Sequence, residues 1–398
     1  MKVSKKKLIV LIVVLVLLLS QIPFAYRRYK LRRLHAAIAR VNAERAMPQP
    51  DEVFAEYKGV AHVHSFLGGH SAGTFSEIIE AAKANGLQFV IMTEHTERDF
   101  DTSAMTLNGI HAGVLFVNGN EVSTANGDRL LVLPGEASLA TSPSAQDVTR
   151  IAGDRGATAI VAYPEEFKSW DVSGLQGVEV FNVYTNARRI NPVVAFFDAV
   201  WSRRSYPDLL FALYYRRPDA SLKLWDQALA RSRSTAIAGN DAHANIGVSL
   251  RDSSGKTLLG IQLDPYETSF RLVRMHVLVD KNKPLDQASL LEAIKAGHCF
   301  IGFDFLGDTS GFSFAAESDG QSRIQGDEIT LGQSTKLRIK IPVSGRVVLF
   351  RDGVQVLDES GVTGKEFPVT ERGVYRVEIY LPQIGDQPWI ISNPIYVR

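Results

Sequence analysis

Apolar residues open the chain as one run, Leu8 to Leu19, which continues past Ser20 and Gln21 through Ile22, Pro23, Phe24 and Ala25. That length is close to the roughly 17 to 25 residues a membrane helix needs. It predicts a transmembrane anchor over residues 1–25. Lys5, Lys6 and Lys7 precede the run, as in a signal peptide, but no small-x-small cleavage site followed by a polar region is evident, which favours an uncleaved anchor. A basic, helix-forming stretch follows with Arg27, Arg28, Lys30, Arg32 and Arg33, predicting a juxtamembrane helix and linker over 26–52. It reads as a stalk near lipid headgroups or as a solvated helix face. Met47-Pro48-Gln49-Pro50 ends the helical pattern. Positive charge is nearly balanced across the span. The short N-terminal tail and the β-rich end of the chain tip the expectation toward a periplasmic or extracytoplasmic soluble domain.

From Tyr57 to Phe305 the pattern changes to short apolar runs alternating with helical segments, the mark of α/β architecture with parallel strands. Strands are predicted at 59–64, 88–93, 113–117, 130–133, 158–163, 177–181 and 234–238. Thr74 and Glu77 form a capping box ahead of Ile78, Ile79 and Ala82, with Gly86 placed as a C-terminal cap. Further helices are predicted from Ser144 to near Gly156 and over 286–296, before Gly297. After Gly307 helical periodicity stops. Strand-like runs at 337–341, 347–351, 354–357, 374–380 and 390–397 predict a C-terminal β-sandwich. The predicted units are thus 1–25, 26–52, a catalytic unit over 53–306 and the sandwich over 307–398.

Composition narrows the class. The 398 residues carry 44 Lys plus Arg against 43 Asp plus Glu, a net charge of +1, which offers no field for nucleic acid as a main partner. The single cysteine, Cys299, excludes an intrachain disulfide and a thiolate cluster, and its apolar neighbours read as core.

Candidate chemistry gathers at strand ends. In His62-Val63-His64 two imidazoles project from the same side of a strand, within reach of one metal ion. His95, Glu121, and the pair Asp241 and His243 each fall at or just beyond the end of a predicted strand. In a parallel barrel such ends converge on one face. Histidines with a glutamate and an aspartate suit Zn²⁺, Mn²⁺ or Fe, and a carboxylate can bridge two ions. Metal-bound water, its pKa lowered toward about 7, would make the site hydrolytic.

The segments His62-Val63-His64-Ser65, His70, Thr93-Glu94-His95, Gly119-Asn120-Glu121 and Gly239-Asn240-Asp241-Ala242-His243, in this order, resemble the motifs of the PHP (polymerase and histidinol phosphatase) superfamily. The likeness runs from Tyr57 to Phe305. In style it is similar to the CehA/McbA-like metallohydrolase branch, whose C-terminal ending Ser392-Asn393-Pro394-Ile395-Tyr396-Val397 resembles. The resemblance implies a distorted seven-stranded (β/α) TIM-like barrel, divalent metals, and hydrolysis of phosphoesters or other ester-like bonds. It also implies that His62, His64, Glu121 and Asp241 hold one ion and His70, His95 and His243 another. Two family histidines are replaced, one by Tyr163 before Pro164 and one near Pro134 and Gly135, so two ions are expected where relatives hold up to three.

Glu121, Asp241 and Tyr163 are the expected catalytic groups, Tyr163 because a phenol can donate a proton to a leaving oxygen; a buried strand-end tyrosine is its plainer reading. Arg98, Arg129, Arg188 and Arg189 are candidate phosphate contacts, with solvated loop arginines as the alternative. Asn182 and Asn240 are candidates for orienting ligands or for forming turns. His111, His276 and His298 lack partners at ligand spacing. The aromatic-rich stretch Phe196 to Tyr215 reads either as a membrane-facing or apolar-substrate surface or as core-packing helices. The expected function is a membrane-anchored, metal-dependent phosphoester hydrolase acting on a small molecule. Its alternatives are an ester, amide or carbamate hydrolase and a tethered metal-binding module without activity.

Overall fold

The computed structural model describes residues 4–48, 51–69, 71–139, 144–188, 190–244, 247–251, 257–262 and 264–398, so His70 and Arg189 lie outside the described residues. The fold is mixed α/β, with a sheet-rich C-terminal region and a long N-terminal helix. That helix, Lys5–Glu44, is long and apolar enough to cross a membrane, and no residue of its apolar window is buried. Its two segments, Lys5–Ser20 and Ile22–Glu44, meet at Gln21. Further along, Leu31, Ala37 and Val41 are buried against the rest of the protein.

The strand Phe54–Val63 pairs in parallel with Phe89–Met92, which pairs in parallel with Val114–Val117. Each of the latter two continues past a short break, and Glu94–His95 then pairs with Asn120–Ser123. Pairing proceeds through Arg129–Leu133, Thr158–Ala162, Leu175–Asn182 and Thr235–Gly239. It returns to the first strand through Asn240 N–H to Ala61 O at 2.9 Å and His64 N–H to Ala242 O at 3.0 Å. Phe89–Met92, Val114–Val117, Thr158–Ala162 and Thr235–Gly239 are buried along their whole length, which is why they read as apolar runs rather than alternations.

One strand departs from the parallel expectation. Arg129–Leu133 runs antiparallel to both neighbours. The connection before it, 124–128, closes a tight turn in which Thr124 N–H bonds Asp128 O at 2.9 Å and Gly127 takes a φ of 88°. A parallel return needs a crossover of a dozen or more residues.

The helix Phe75–Ala84 has the capping box, with Thr74 N–H donating to Glu77 Oε2 at 2.8 Å, and Asn85 caps its far end just before Gly86. The helix Gln287–Ala296 ends on Gly297 at φ 80°, a left-handed position suited to glycine. The C-terminal strands merge beyond expectation: Lys336–Arg351 and Val354–Pro368 are each continuous. Their sheet joins that of the first strand through Arg274–Asp280, Cys299–Gly302 and Pro388–Ser392. Asn393 fastens this region to the strand leading to Asp241: its Oδ1 accepts from Ala236 N at 2.7 Å and its Nδ2 donates to Cys299 O at 2.8 Å.

Candidate metal centre

The parallel strands place their C-terminal ends on one side, and the reversed strand begins there. His62 and His64 come from the first strand's end, His95 from the second, Glu121 from Asn120–Ser123, and Asp241 and His243 follow Thr235–Gly239. Non-glycine residues with left-handed backbone gather at this edge: His62 at φ 61°, Tyr163 at 48°, Asp241 at 49° and Ala244 at 50°. Such conformations cost of order 1 to 3 kcal/mol each and collect at functional sites.

Ligand-type atoms of His62, His64, Glu121 and Asp241 all lie within 4.8 Å of one another, and the same holds for His64, His95 and His243. The two groups share His64. Its ring stacks on His95 at 4.5 Å and on His243 at 4.3 Å between centroids. Glu121 Oε2 is 3.2 Å from His62 Nε2, 3.3 Å from His64 Nε2 and 3.5 Å from His95 Nδ1. Asp241 Oδ1 faces His62 Nε2 and His64 Nε2, both at 3.5 Å.

The supporting contacts are as informative as the cluster. His62 Nδ1 lies 2.6 Å from Glu179 Oε1, which fixes the Nδ1–H tautomer and leaves Nε2 toward Glu121 and Asp241. Glu179, only 1% exposed, also accepts from Asn182 Nδ2 at 3.0 Å, and the same amide reaches Asp241 Oδ2 at 3.3 Å. Glu179 escaped the sequence reading; the signal was a lone carboxylate inside the apolar run Val178-Glu179-Val180. Gly239 lets Glu179 approach, because a Cβ there would fall 1.7 Å from Glu179 Oε1 and 2.9 Å from His62 Cβ. Glu94 turns away from the cluster. It accepts from Ser65 Oγ at 2.6 Å and Thr106 Oγ1 at 2.8 Å, pinning the turn after His64.

Burial lowers the His62 proton affinity, but Glu179 and Asp241 outweigh it and hold the imidazole well above its ordinary pKa. Burial raises Glu121 and Asp241, yet the neighbouring histidines bring both well below the usual carboxylate range. His243 moves the other way, down to about 4, through burial and the nearby His64. Burial and then the Asp241 charge raise Tyr163, which stays protonated and donates to Asp241 Oδ2 at 2.6 Å.

A cavity of about 220 Å³ opens on the cluster, lined by His95, Arg129, Tyr163, Glu166, Tyr184, Arg188, Asp241 and His243. Arg129 Nη1 bonds Glu121 Oε1 at 2.8 Å, and its guanidinium lies 5.4 Å from the Tyr163 ring centre. Arg188 pairs with Glu166 at 2.8 Å on the cavity's rim. Arg98 is exposed and does not line the cavity. Asn240 donates to Ser269 O at 2.7 Å, holding the strand end rather than the cluster. Among the set-aside histidines, His276 is buried between Glu56 at 2.6 Å and Asp304 at 3.3 Å, and His298 pairs with Asp327 at 2.8 Å.

No protein-family profile and no curated protein sequence matches the chain. Solved structures with partial likeness include a two-domain protein containing a predicted PHP-like metal-dependent phosphoesterase from Bacteroides vulgatus ATCC 8482, at 13% identity and TM-score 0.40, covering 87% of this chain and 98% of that one. PsfC from Pseudomonas syringae PB-5123 shares 13% identity at TM-score 0.39 over 60% of this chain and 89% of that one. An endonuclease Q complex with a 27-mer duplex shares 14% identity at TM-score 0.34 over 61% of this chain and 57% of that one. At these scores and identities the likenesses carry no functional inference.

Proposed function

We propose that the chain is a membrane-anchored, metal-dependent hydrolase of the PHP class acting on a phosphoester. The observation that carries this reading is the convergence of His62, His64, His95, Glu121, Asp241 and His243 at one edge of the strand array, beside a cavity that also presents Arg129 and Arg188. The donor set fits divalent ions. Asp241 Oδ1 is buried without a hydrogen bond and faces two imidazole nitrogens, an arrangement that a cation would satisfy. His62, His64, Glu121 and Asp241 would hold one ion, and His95 and His243, with His70, the other. Bound ions would supply Lewis acidity toward a phosphoryl oxygen and toward water.

The chain's own residues then have distinct tasks. Glu179 orients His62 through Nδ1, and its carboxylate would offset part of the charge of an ion held at Nε2. Tyr163 keeps its proton on the Asp241 side of the cavity, where it can be given to a leaving oxygen. Arg129 and Arg188 offer guanidinium groups to non-bridging phosphate oxygens. Under this reading the strands of 53–306 form a distorted seven-stranded barrel of the PHP type, related to the CehA/McbA branch, with residues 307–398 as an attached β-sandwich and residues 1–25 as the anchor.

Turnover of chromogenic phosphomonoesters, phosphodiesters and aryl esters by the full chain with added Mn²⁺ or Zn²⁺ tests this. Phosphoester cleavage that disappears in the His64→Ala, Asp241→Ala double variant is expected. Cleavage that survives the double change, or cleavage confined to aryl esters, would overturn the reading.

A further inference from the structure

The helix Pro192–Ser202 presents an apolar stripe to the outside: Val193 is 62%, Phe196 62% and Val200 64% exposed. At 100° per residue these three fall within a 60° arc. Its other side is fastened to the N-terminal helix. Phe197 packs on Phe24 at 5.0 Å, and Trp201 Nε1 donates to Gln21 Oε1 at 3.1 Å. Asp198, 2% exposed, is gripped by Arg27 through Nε at 2.8 Å and Nη2 at 2.7 Å and accepts from Tyr214 as well.

Depth follows from the same contacts. At 1.5 Å per residue, Leu8 to Ala25 spans about 27 Å, close to the roughly 30 Å hydrocarbon core of a bilayer. Gln21 and Phe24 belong to the last turns of that span, so the residues touching them sit at the same level. The exposed Ile22, Tyr26 and Tyr29 continue an apolar and aromatic stripe on the anchor at that boundary. Asp198 is the helix's one acid, and pairing with Arg27 removes the cost it would carry at that depth. Arg28, bonded to Ser205 Oγ at 2.9 Å, and the exposed Arg204 stand where headgroup phosphates would be.

We propose that the helix Pro192–Ser202 is a second membrane contact, lying in the interface of the same bilayer that the anchor crosses, with Val193, Phe196 and Val200 among the acyl chains. This rests on the reading of residues 1–25 as a membrane anchor. The placement brings the cavity to the bilayer surface, since Arg188 on its rim is four residues from Pro192, a chain path of at most about 14 Å.

The test uses the full chain reconstituted in phosphatidylcholine and phosphatidylglycerol vesicles. A Phe196→Cys variant carries a polarity-sensitive fluorophore, and Val354→Cys, 67% exposed in the C-terminal sheet, serves as control. The native Cys299 is fully buried. Blue-shifted emission at 196, quenched severalfold more by shallow nitroxide lipids than at 354, is expected, and Val200→Cys should behave alike. If the chain floats with vesicles while 196 matches 354, the inference is overturned and the anchor stands. Shielding at 196 without lipid quenching would mean that another protein surface covers the stripe, which also overturns it. A chain that fails to float defeats the anchor reading and the inference together.

Discussion

Replacing Glu179 by glutamine removes one charge from beneath the candidate metal centre while keeping side-chain volume. Glu179 Oε1 sits 2.6 Å from His62 Nδ1, and Oε2 accepts from Asn182 at 3.0 Å. Glutamine can still accept from His62, so the Nδ1–H tautomer survives. What is lost is the negative charge that offsets His62 burial and makes Nε2 a stronger donor. Changes of this kind behind a ligating histidine cost about 10- to 100-fold in metal affinity, or about 1.4 to 2.8 kcal/mol. Competition against a fluorescent zinc chelator, on full chain in detergent, measures the affinity; thermal unfolding with a strong chelator present checks the fold. Weaker binding is expected in a variant that still unfolds cooperatively without metal, at a somewhat lower temperature because the glutamine NH2 then faces Asn182 Nδ2. Unchanged affinity in a folded variant would show that His62 does not depend on Glu179 to bind metal.

Three further outcomes follow from other parts of the molecule. Gly239→Ala should drive Glu179 and His62 apart, destabilising the fold by about 1 to 3 kcal/mol as overpacked cores do and weakening metal binding, both read from calorimetry; a neutral result would contradict the close approach at Gly239. The pKa of His276 is raised from 6.5 to about 9: burial lowers it, but Asp304 and Glu56 more than offset burial. Its stabilisation is therefore full below about pH 6.5 and lost as pH rises through about 9. Denaturant titrations should show on the order of 3 kcal/mol less stability above that window, with the loss absent in His276→Gln. Cys299, pushed up to about 12 by burial, should resist thiol reagents in the folded chain and react once it unfolds; rapid native-state labelling would contradict its burial.

Where the sequence was legible, one local rule sufficed. The capping box at Thr74 and Glu77 and the glycine expected to close the same helix, Gly86, depend on neighbouring residues alone; the box is present and Gly86 takes a left-handed φ of 60°. The gathering of His62, His64, His95, Glu121, Asp241 and His243 was legible because each follows an apolar run, and parallel strands bring such ends together. What lay outside local reading was set by partners distant in the chain. Glu179 gains its meaning only from His62, more than a hundred residues away, and His276 only from Glu56 and Asp304. The aromatic stretch 196–215 divides: Tyr215 is core, packed on Phe181 and Phe303, whereas Phe196 faces outward. Composition is alike in both halves, and only partners distant in the chain, such as Phe181 and Phe303 for Tyr215, separate them. The reversed strand Arg129–Leu133 was missed as reversed because its apolar run looks the same in either direction, the five-residue turn 124–128 being the sole sign.

A metal centre assembled from these strand ends binds its ions in a fixed ratio to the chain, which metal content reads out. Elemental analysis of purified full chain, after dialysis against metal-free buffer, should find about two divalent ions per chain, lost in the His64→Ala, Asp241→Ala variant. A wild-type chain that retains no divalent ion, or a double variant that keeps its full complement, would mean that these strand ends do not form a metal centre.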